Sequence, residues 1–342
     1  SPAVCGVSPQ TFPRKMFRGI PSAGRRRMHA RRVRSPLLQF RHPKRFVALL
    51  AVTARQRIGR RINRIHQLDR EPVVHHAPLA QLRIADFHFS QGAFDTAEAS
   101  YQLVFQNTNG ADAELKSLAR LNAGRSAFNR RAYRDATNYF VALVNDERVP
   151  RDVQAQAFFA LGDTYLTASQ AGEPIATDPF GDAINAFSRI TNNFATNRQA
   201  AFAMGKIGDC HLQRAGKSGD AKELELAAGA YQRALTWPGA EAEARLLAEF
   251  ALGDVRAKQN RPAEAAEHWS NLLYLKTVRP EESPDPELVR EAGLALARLR
   301  ESQSDWAAAR QIYVRLQQMF PVLRGALQEK VERAQKRLNE QP

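Results

Sequence analysis

One pattern recurs six times along this 342-residue chain, and it constrains the fold more than any other feature. Its cleanest copy is residues 251–273, ALGDVRAKQNRPAEAAEHWSNLL. That stretch reads as two short helices packed back to back. Gly253 and Ala265 are small at the crossing, where a bulky side chain would push the helices apart. Leu252, Trp269, Leu272 and Leu273 fill the shared face, and Pro262 suits the first turn of the second helix. Across the six copies the small crossing residues are Ala85, Gly124, Gly162, Gly208, Gly253 and Ala297, at intervals of 39, 38, 46, 45 and 44 residues. A single helix pair cannot bury its apolar face alone, so copies in phase imply a stack with its core between neighbours.

The first pair begins at Leu79 and Leu82, turns at Gly92, and continues through Tyr101 and Val104. Gly172, Pro174, Pro179 and Gly181 mark an insertion between the helices of the third pair. A second long connection is expected at 216–220 in the fourth. Asp285-Pro286-Glu287 is a helix start for the sixth pair, with a capping side chain, a first-turn proline and an acid near the positive helix end. Beyond Pro321, residues Leu323, Leu327, Val331, Ala334 and Leu338 form one helical stripe, and Arg324, Glu329, Lys330, Arg333 and Lys336 occupy the other face. A terminal capping helix needs that division. The chain thus divides into an Arg-rich segment at 1–77, a repeat array at 78–321, and a capping helix and tail at 322–342.

Charge separates the first of these from the rest. The net charge is +15, yet residues 1–68 hold 15 Arg, two Lys and no acid, leaving 33 basic against 35 acidic residues elsewhere. With Pro2, Pro9, Pro13, Pro21, Pro36 and Pro43 and no sustained periodicity, that segment is expected to be largely disordered. Three readings stay open for it. Arg25-Arg26-Arg27 and Arg31-Arg32 would neutralise phosphates on nucleic acid or anionic lipid. Lys44-Arg45 before the apolar run 46–52 imitates a signal peptide, and Arg excess without acids suits a transit peptide, though Arg55, Arg57, Arg60 and Arg61 resist translocation. The third is a solvated tail, or upstream sequence not native to the protein. No apolar run is long enough to span a membrane.

Catalytic and metal chemistry find little footing. Cys5 and Cys210 are too isolated for a disulfide framework or a zinc set, and Cys210 reads as a small core residue. Gly216-Lys217-Ser218 has the ending of a phosphate-binding loop, but the required glycine five residues earlier is His211. His75 and His76, with His66 and His88, lack the carboxylate or Cys that would complete a ligand set. Neither a catalytic residue nor a cofactor or metal is assigned, and a non-enzymatic role is expected.

The repeat resembles the tetratricopeptide family over 78–321. The matching residues are Leu161-Gly162 and Leu252-Gly253, the variants Ile207-Gly208 and Leu296-Ala297, and Tyr165 one turn later. Ala97, Ala136, Ala183, Ala227, Ala265 and Ala309 fill the small position of the second helix. Tyr101, Phe140, Phe187, Tyr231, Trp269 and Tyr313 fill its aromatic position, and Pro321 closes the last copy. His88, Ala127, His211, Arg256 and Arg300 depart from the first-helix aromatic, and most copies exceed the family's 34 residues. The resemblance implies an all-α, right-handed solenoid of about six helix pairs plus the capping helix. Long repeats are similar to those of bacterial cell-envelope members, which implies a periplasmic or envelope location and a part in envelope assembly, with the cytoplasm as the alternative. No Leu-x-x-Cys lipidation box precedes Cys5. Chaperone-tail readers of the family clamp a carboxylate with Lys and Asn, and the equivalent positions here hold Leu82, Asp86, Leu121 and Arg125, so that role is disfavoured.

The family's first helices line a concave groove, and the residue after each small crossing position lies on it. Those residues are Asp86, Arg125, Asp163, Asp209, Asp254 and Arg298, an acidic strip with apolar neighbours (Leu82, Phe89, Leu121, Phe128, Phe159, Leu166, Leu212, Phe250 and Leu294) as its walls. A protein or peptide pairing Lys or Arg with apolar anchors would complement it. Alternatively, the aspartates bond neighbouring repeats or pair with Arg125 and Arg298. The function expected is a protein–protein interaction scaffold; the alternative is a nucleic-acid or anionic-membrane binder acting through the N-terminal tail.

Overall fold

The computed structural model describes residues 71–106 and 111–341, with side chains from Pro78 onward. These form 13 α-helices and no strand among the described residues. Six antiparallel pairs follow in order: α1 (Glu71–Ser90) with α2 (Phe94–Gln106), α3 (Ala113–Asn129) with α4 (Tyr133–Val144), and α5 (Arg151–Ala171) with α6 (Pro179–Asn193). Then come α7 (Ala200–Ser218) with α8 (Ala221–Leu235), α9 (Ala242–Lys258) with α10 (Pro262–Leu273), and α11 (Pro286–Ser302) with α12 (Trp306–Met319). A 3-10 turn at Pro321–Leu323 leads into α13 (Arg324–Asn339).

Helix starts follow local chemistry. Asp112, Asp178, Asp220, Asp285 and Asp305 cap α3, α6, α8, α11 and α12, each carboxylate accepting from a backbone N–H of the first turn. Pro179, Pro262 and Pro286 sit in first turns. Two boundaries differ from the sequence expectation. The first helix begins at Glu71, with Pro72 in its opening turn and Pro78 inside it. The fourth pair's first helix runs through to Ser218, and Gly219, at φ 70°, ends it in the left-handed region. Gly216-Lys217-Ser218 is therefore the last turn of a helix, where Lys217 lies over the Phe180 ring at 4.6 Å. Expectations for the segment 1–68, including His66, and for the side chains of His75 and His76, fall outside the described residues.

The crossing packs as its residue sizes require. A Cβ on Gly124 would fall 2.5 Å from Phe140 Cε1, one on Gly162 2.8 Å from Phe187 Cε1, and one on Gly208 2.7 Å from Tyr231 Cε1. Trp269 lies as close over Gly253. In the end pairs Ala85 and Ala297 are fully buried together with Tyr101 and Tyr313. Each aromatic of a second helix thus covers the small residue of the first. The cores join neighbours: Leu82, Ala85 and Tyr101 of the first pair pack with Ala119 and Ala123 of α3, and Leu327 of α13 packs against Tyr313 and Leu316. Cys210 is fully buried.

Each helix packs on the next, and α1, α3, α5, α7, α9 and α11 also touch successively. The second helices do not meet their counterparts to that extent. Closer approach on one side bends a stack toward that side, so the array is an α-solenoid with its first helices on the inner, concave wall.

Candidate partner-binding groove

The position one residue after each crossing faces this inner wall. It carries Asp86 on α1, Arg125 on α3, Asp163 on α5, Asp209 on α7, Asp254 on α9 and Arg298 on α11. All except Asp163 and Arg298 are half-buried; Asp163 is buried and Arg298 exposed. Of the expected apolar walls, Phe89, Phe128, Phe159, Leu212, Phe250 and Leu294 are half-buried and keep a face toward solvent. Leu82, Leu121 and Leu166 do not: they are buried in the cores and cannot line a groove. Position in the repeat does not decide it: Leu82 and Leu121 stand four residues before the groove position, as Phe159 and Phe250 do, and Leu166 three after it, as Phe128 and Leu212 do. Phe202 and Leu247, seven residues before Asp209 and Asp254 and hence two turns away on the same face, belong to the wall instead. Gly205, between Phe202 and Asp209, has no atom within 4 Å of where its Cβ would stand, which leaves the groove floor open there.

The aspartates are tied to the scaffold. Tyr101 donates its hydroxyl to Asp86 Oδ1 at 2.8 Å, and Tyr231 donates to Asp209 Oδ1 at 2.7 Å. The buried aromatic that covers the crossing thus reaches through the helix pair and fixes the groove carboxylate beside it. Where the aromatic is Phe187, without a hydroxyl, Asp163 takes another partner: Lys206 Nζ of the next first helix stands 3.3 Å from its Oδ1 and 3.7 Å from Asp209 Oδ2. Burial alone would lower the Lys206 pKa, but the two carboxylates outweigh it and raise the value above the ordinary lysine range. The expected strip of acid is therefore compensated at its centre by a lysine the sequence reading did not single out.

Asp254 makes no ion pair within 4.0 Å among the described residues. Burial pushes its carboxyl up to about 6, against smaller opposing pulls from Lys258, Arg298 and the adjacent Trp269 indole. Arg125 bonds only neutral amides, Asn122 Oδ1 at 3.1 Å and Gln156 Oε1 at 3.0 Å. In the sixth pair Arg298 replaces the aspartate, and the Tyr313 hydroxyl is buried without a bonded acceptor. His88 is half-buried and stacks edge-on with Phe87.

A small residue beneath a large aromatic in every pair, with inner first helices, is the geometry the repeat pattern implies. The chain resembles the tetratricopeptide-repeat family. No protein-family model and no curated protein matches the sequence. Similar solved structures include PilF of Pseudomonas aeruginosa, 12% identical over 72% of this chain and 93% of that one, with a TM-score of 0.48. BtubC from P. vanneervenii is 12% identical over 73% of this chain and 93% of that one, with a TM-score of 0.49. A tetratricopeptide-repeat protein of Thermus thermophilus is 16% identical over 64% of this chain and 98% of that one, with a TM-score of 0.41. The tetratricopeptide-like assignment stands on the repeat itself, and its groove differs from a bare acidic strip by the Lys206 bridge.

Proposed function

We propose that the chain is a non-enzymatic scaffold that binds a segment of a partner protein along its concave groove. The observation that carries this is the succession of touching first helices, which turns one stripe of each toward a common inner wall. Phe128, Phe159, Phe202, Leu212, Leu247 and Phe250 would supply apolar anchor sites along it, and charged residues between them would set orientation and rate more than affinity. Asp254, and to a lesser degree Asp86, would favour a basic residue on the partner, because Asp163 and Asp209 already share Lys206. A role in envelope assembly follows only from the long-repeat resemblance. No helix among the described residues is long and apolar enough to cross a membrane.

Random peptides displayed on phage and selected on the full chain test the reading. Leu247→Asp changes an exposed residue of the inner wall, and Leu226→Asp changes an equally exposed one on α8, a second helix. Selected peptides should lose binding at least tenfold with the first variant and keep it with the second. Equal loss in both, or loss with Leu226→Asp alone, would place binding elsewhere.

A further inference from the structure

Each first helix carries a stripe that faces the preceding pair, at the positions five and one residues before the crossing and two after it. In the second to sixth pairs the first of these holds Ala119, Ala157, Ala203, Ala248 and Ala292, all buried. The next holds Ala123, Leu161, Ile207, Leu252 and Leu296, again all buried. The last holds Ser126, Thr164, Cys210 and Val255, all fully buried, and the half-buried Leu299. The preceding pair supplies the cover. Ala119 and Ala123 share a core with Tyr101 and Val104 of α2, and Ala292 and Leu296 share one with Trp269 and Leu272 of α10.

In the first pair the same stripe is Ala80, Ile84 and Phe87, spaced by four and three residues and so on one face of α1. No described pair precedes it. Ala80 is exposed, Ile84 is 48% exposed and Phe87 60%. This is the stacking surface of an interior repeat standing at the end of the array, where a repeat that ends a stack in water carries a polar face. The opposite end is finished in that way. There α13 lays Leu327 on Tyr313 and Leu316 and keeps Glu329, Arg333 and Lys336 exposed.

We propose that this face of α1 seats the same face of a second copy of the chain. The occupant follows from three features. Because α13 covers the last pair, another copy cannot add that pair head to tail, which leaves a symmetric contact of like faces. Antiparallel α1 helices about a two-fold axis beside Ile84 set Phe87 of each copy against Ala80 of the other, the same fit of ring over small residue that closes each crossing. The face also does not repel its own copy. Arg83 is the one exposed charge on α1 among the described residues, and Asp86 offsets it at 3.8 Å. Few side chains take part on each side, so the contact belongs at the small end of interface sizes and the dimer should come apart on dilution. It lies at the end of the stack and is independent of the groove reading.

Sedimentation velocity on the full chain over a rising concentration series tests this, in high salt so that the Arg-rich segment's charges are screened while apolar contact persists. Monomer should give way to dimer and to nothing larger. Phe87→Asp and Ile84→Asp should each weaken the association about tenfold or more. Leu103→Asp should leave it unchanged. Leu103 is as exposed as Phe87, but it holds the second-helix position where Arg189 and Arg233 stay exposed in later pairs, away from the stacking surface. All three residues face water in the single copy, so the variants should keep the parent's circular-dichroism spectrum. A chain that stays monomeric at every concentration would overturn the proposal and leave the face to another occupant. Species beyond the dimer, association untouched by Phe87→Asp, or association lost with Leu103→Asp would overturn it as well.

Discussion

Alanine at Gly208 and alanine at Gly205 should move stability in opposite directions, although the two glycines lie one turn apart on α7. A Cβ at Gly208 would stand 2.7 Å from Tyr231 Cε1 and 2.8 Å from both Cδ1 and Cζ. Comfortable carbon contacts are about 3.5–4.0 Å, so the ring must retreat by about 1 Å. It has little room, because Tyr231 is only 2% exposed and its hydroxyl is held by Asp209 at 2.7 Å. Overpacking of this kind costs about 1–3 kcal/mol, and loss of a hydrogen bond to a charged group costs about 1.5–3 kcal/mol. The gain in helix propensity returns about 0.8–1 kcal/mol. The net loss for Gly208→Ala is about 2–4 kcal/mol.

Gly205→Ala meets nothing within 4 Å and keeps the propensity gain of about 0.5–1 kcal/mol. Urea unfolding followed by circular dichroism should show the two midpoints on opposite sides of the parent. In a Tyr231→Leu background, where the ring is gone, Gly208→Ala should become neutral or stabilising. Equal midpoints for the two alanine variants, or a Gly208→Ala cost that survives in the Tyr231→Leu background, would refute the idea that the ring sets the glycine requirement.

Arg131 occupies the left-handed region at φ 67°, where a side chain is disfavoured, and Gly92 fills the same turn of the first pair at φ 76°. Arg131→Gly should raise the unfolding midpoint, by about 0.5–1 kcal/mol, and a lower midpoint would show that this turn is unstrained. Asp254, pushed up to about 6, binds its proton more tightly folded than unfolded, so its contribution is most favourable below the ordinary carboxylate range and is lost as pH rises through 6. Asp254→Asn should therefore stabilise the array at pH 7 by about 1–2 kcal/mol, allowing for water on its open side, and flatten the fall in stability between pH 4 and 7. An unchanged pH profile would mean that Lys258 and Arg298 already hold the carboxylate charged.

The repeat phase was legible because one physical demand recurs at each crossing. A large ring over a helix leaves room for no Cβ, or for alanine alone, and that pairing appears in sequence as Gly208 with Tyr231 or Ala85 with Tyr101. The tight turns were less legible. Gly92 announces itself, whereas Arg131, Asn260 and Ser304 take the same left-handed conformation without the residue type that signals it. Each lies seven residues after its crossing residue, as Gly92 does, so the phase could have located them. Lys206 escaped for a different reason. Its partner Asp163 is 43 residues earlier in sequence, beyond the insertion at 172–178, and only the contact of α5 with α7 makes them neighbours. Leu82, Leu121 and Leu166 hold the same repeat positions as Phe159, Phe250 and Leu212, so spacing alone does not tell which of them the neighbouring helices bury.

In the first and fourth pairs the aromatic at the crossing does more than fill the core, whereas in the sixth the Tyr313 hydroxyl meets no acceptor and the groove position holds Arg298. Where it is Tyr101 or Tyr231, its hydroxyl engages the aspartate beside it and fixes that carboxylate to a buried, immobile ring. Where it is Phe187, Asp163 is left to pair across to the next repeat through Lys206. Where it is Phe140, no hydroxyl exists to call for an acceptor, and the position holds Arg125, whose donors outnumber the acceptors around it. Charges already satisfied from behind stiffen the wall but have less to give a partner; a charge left unsatisfied has more. By that logic Phe140→Tyr combined with Arg125→Asp should recreate at the second pair the internal bond that Asp86 and Asp209 make, and should raise the urea unfolding midpoint above that of Arg125→Asp alone.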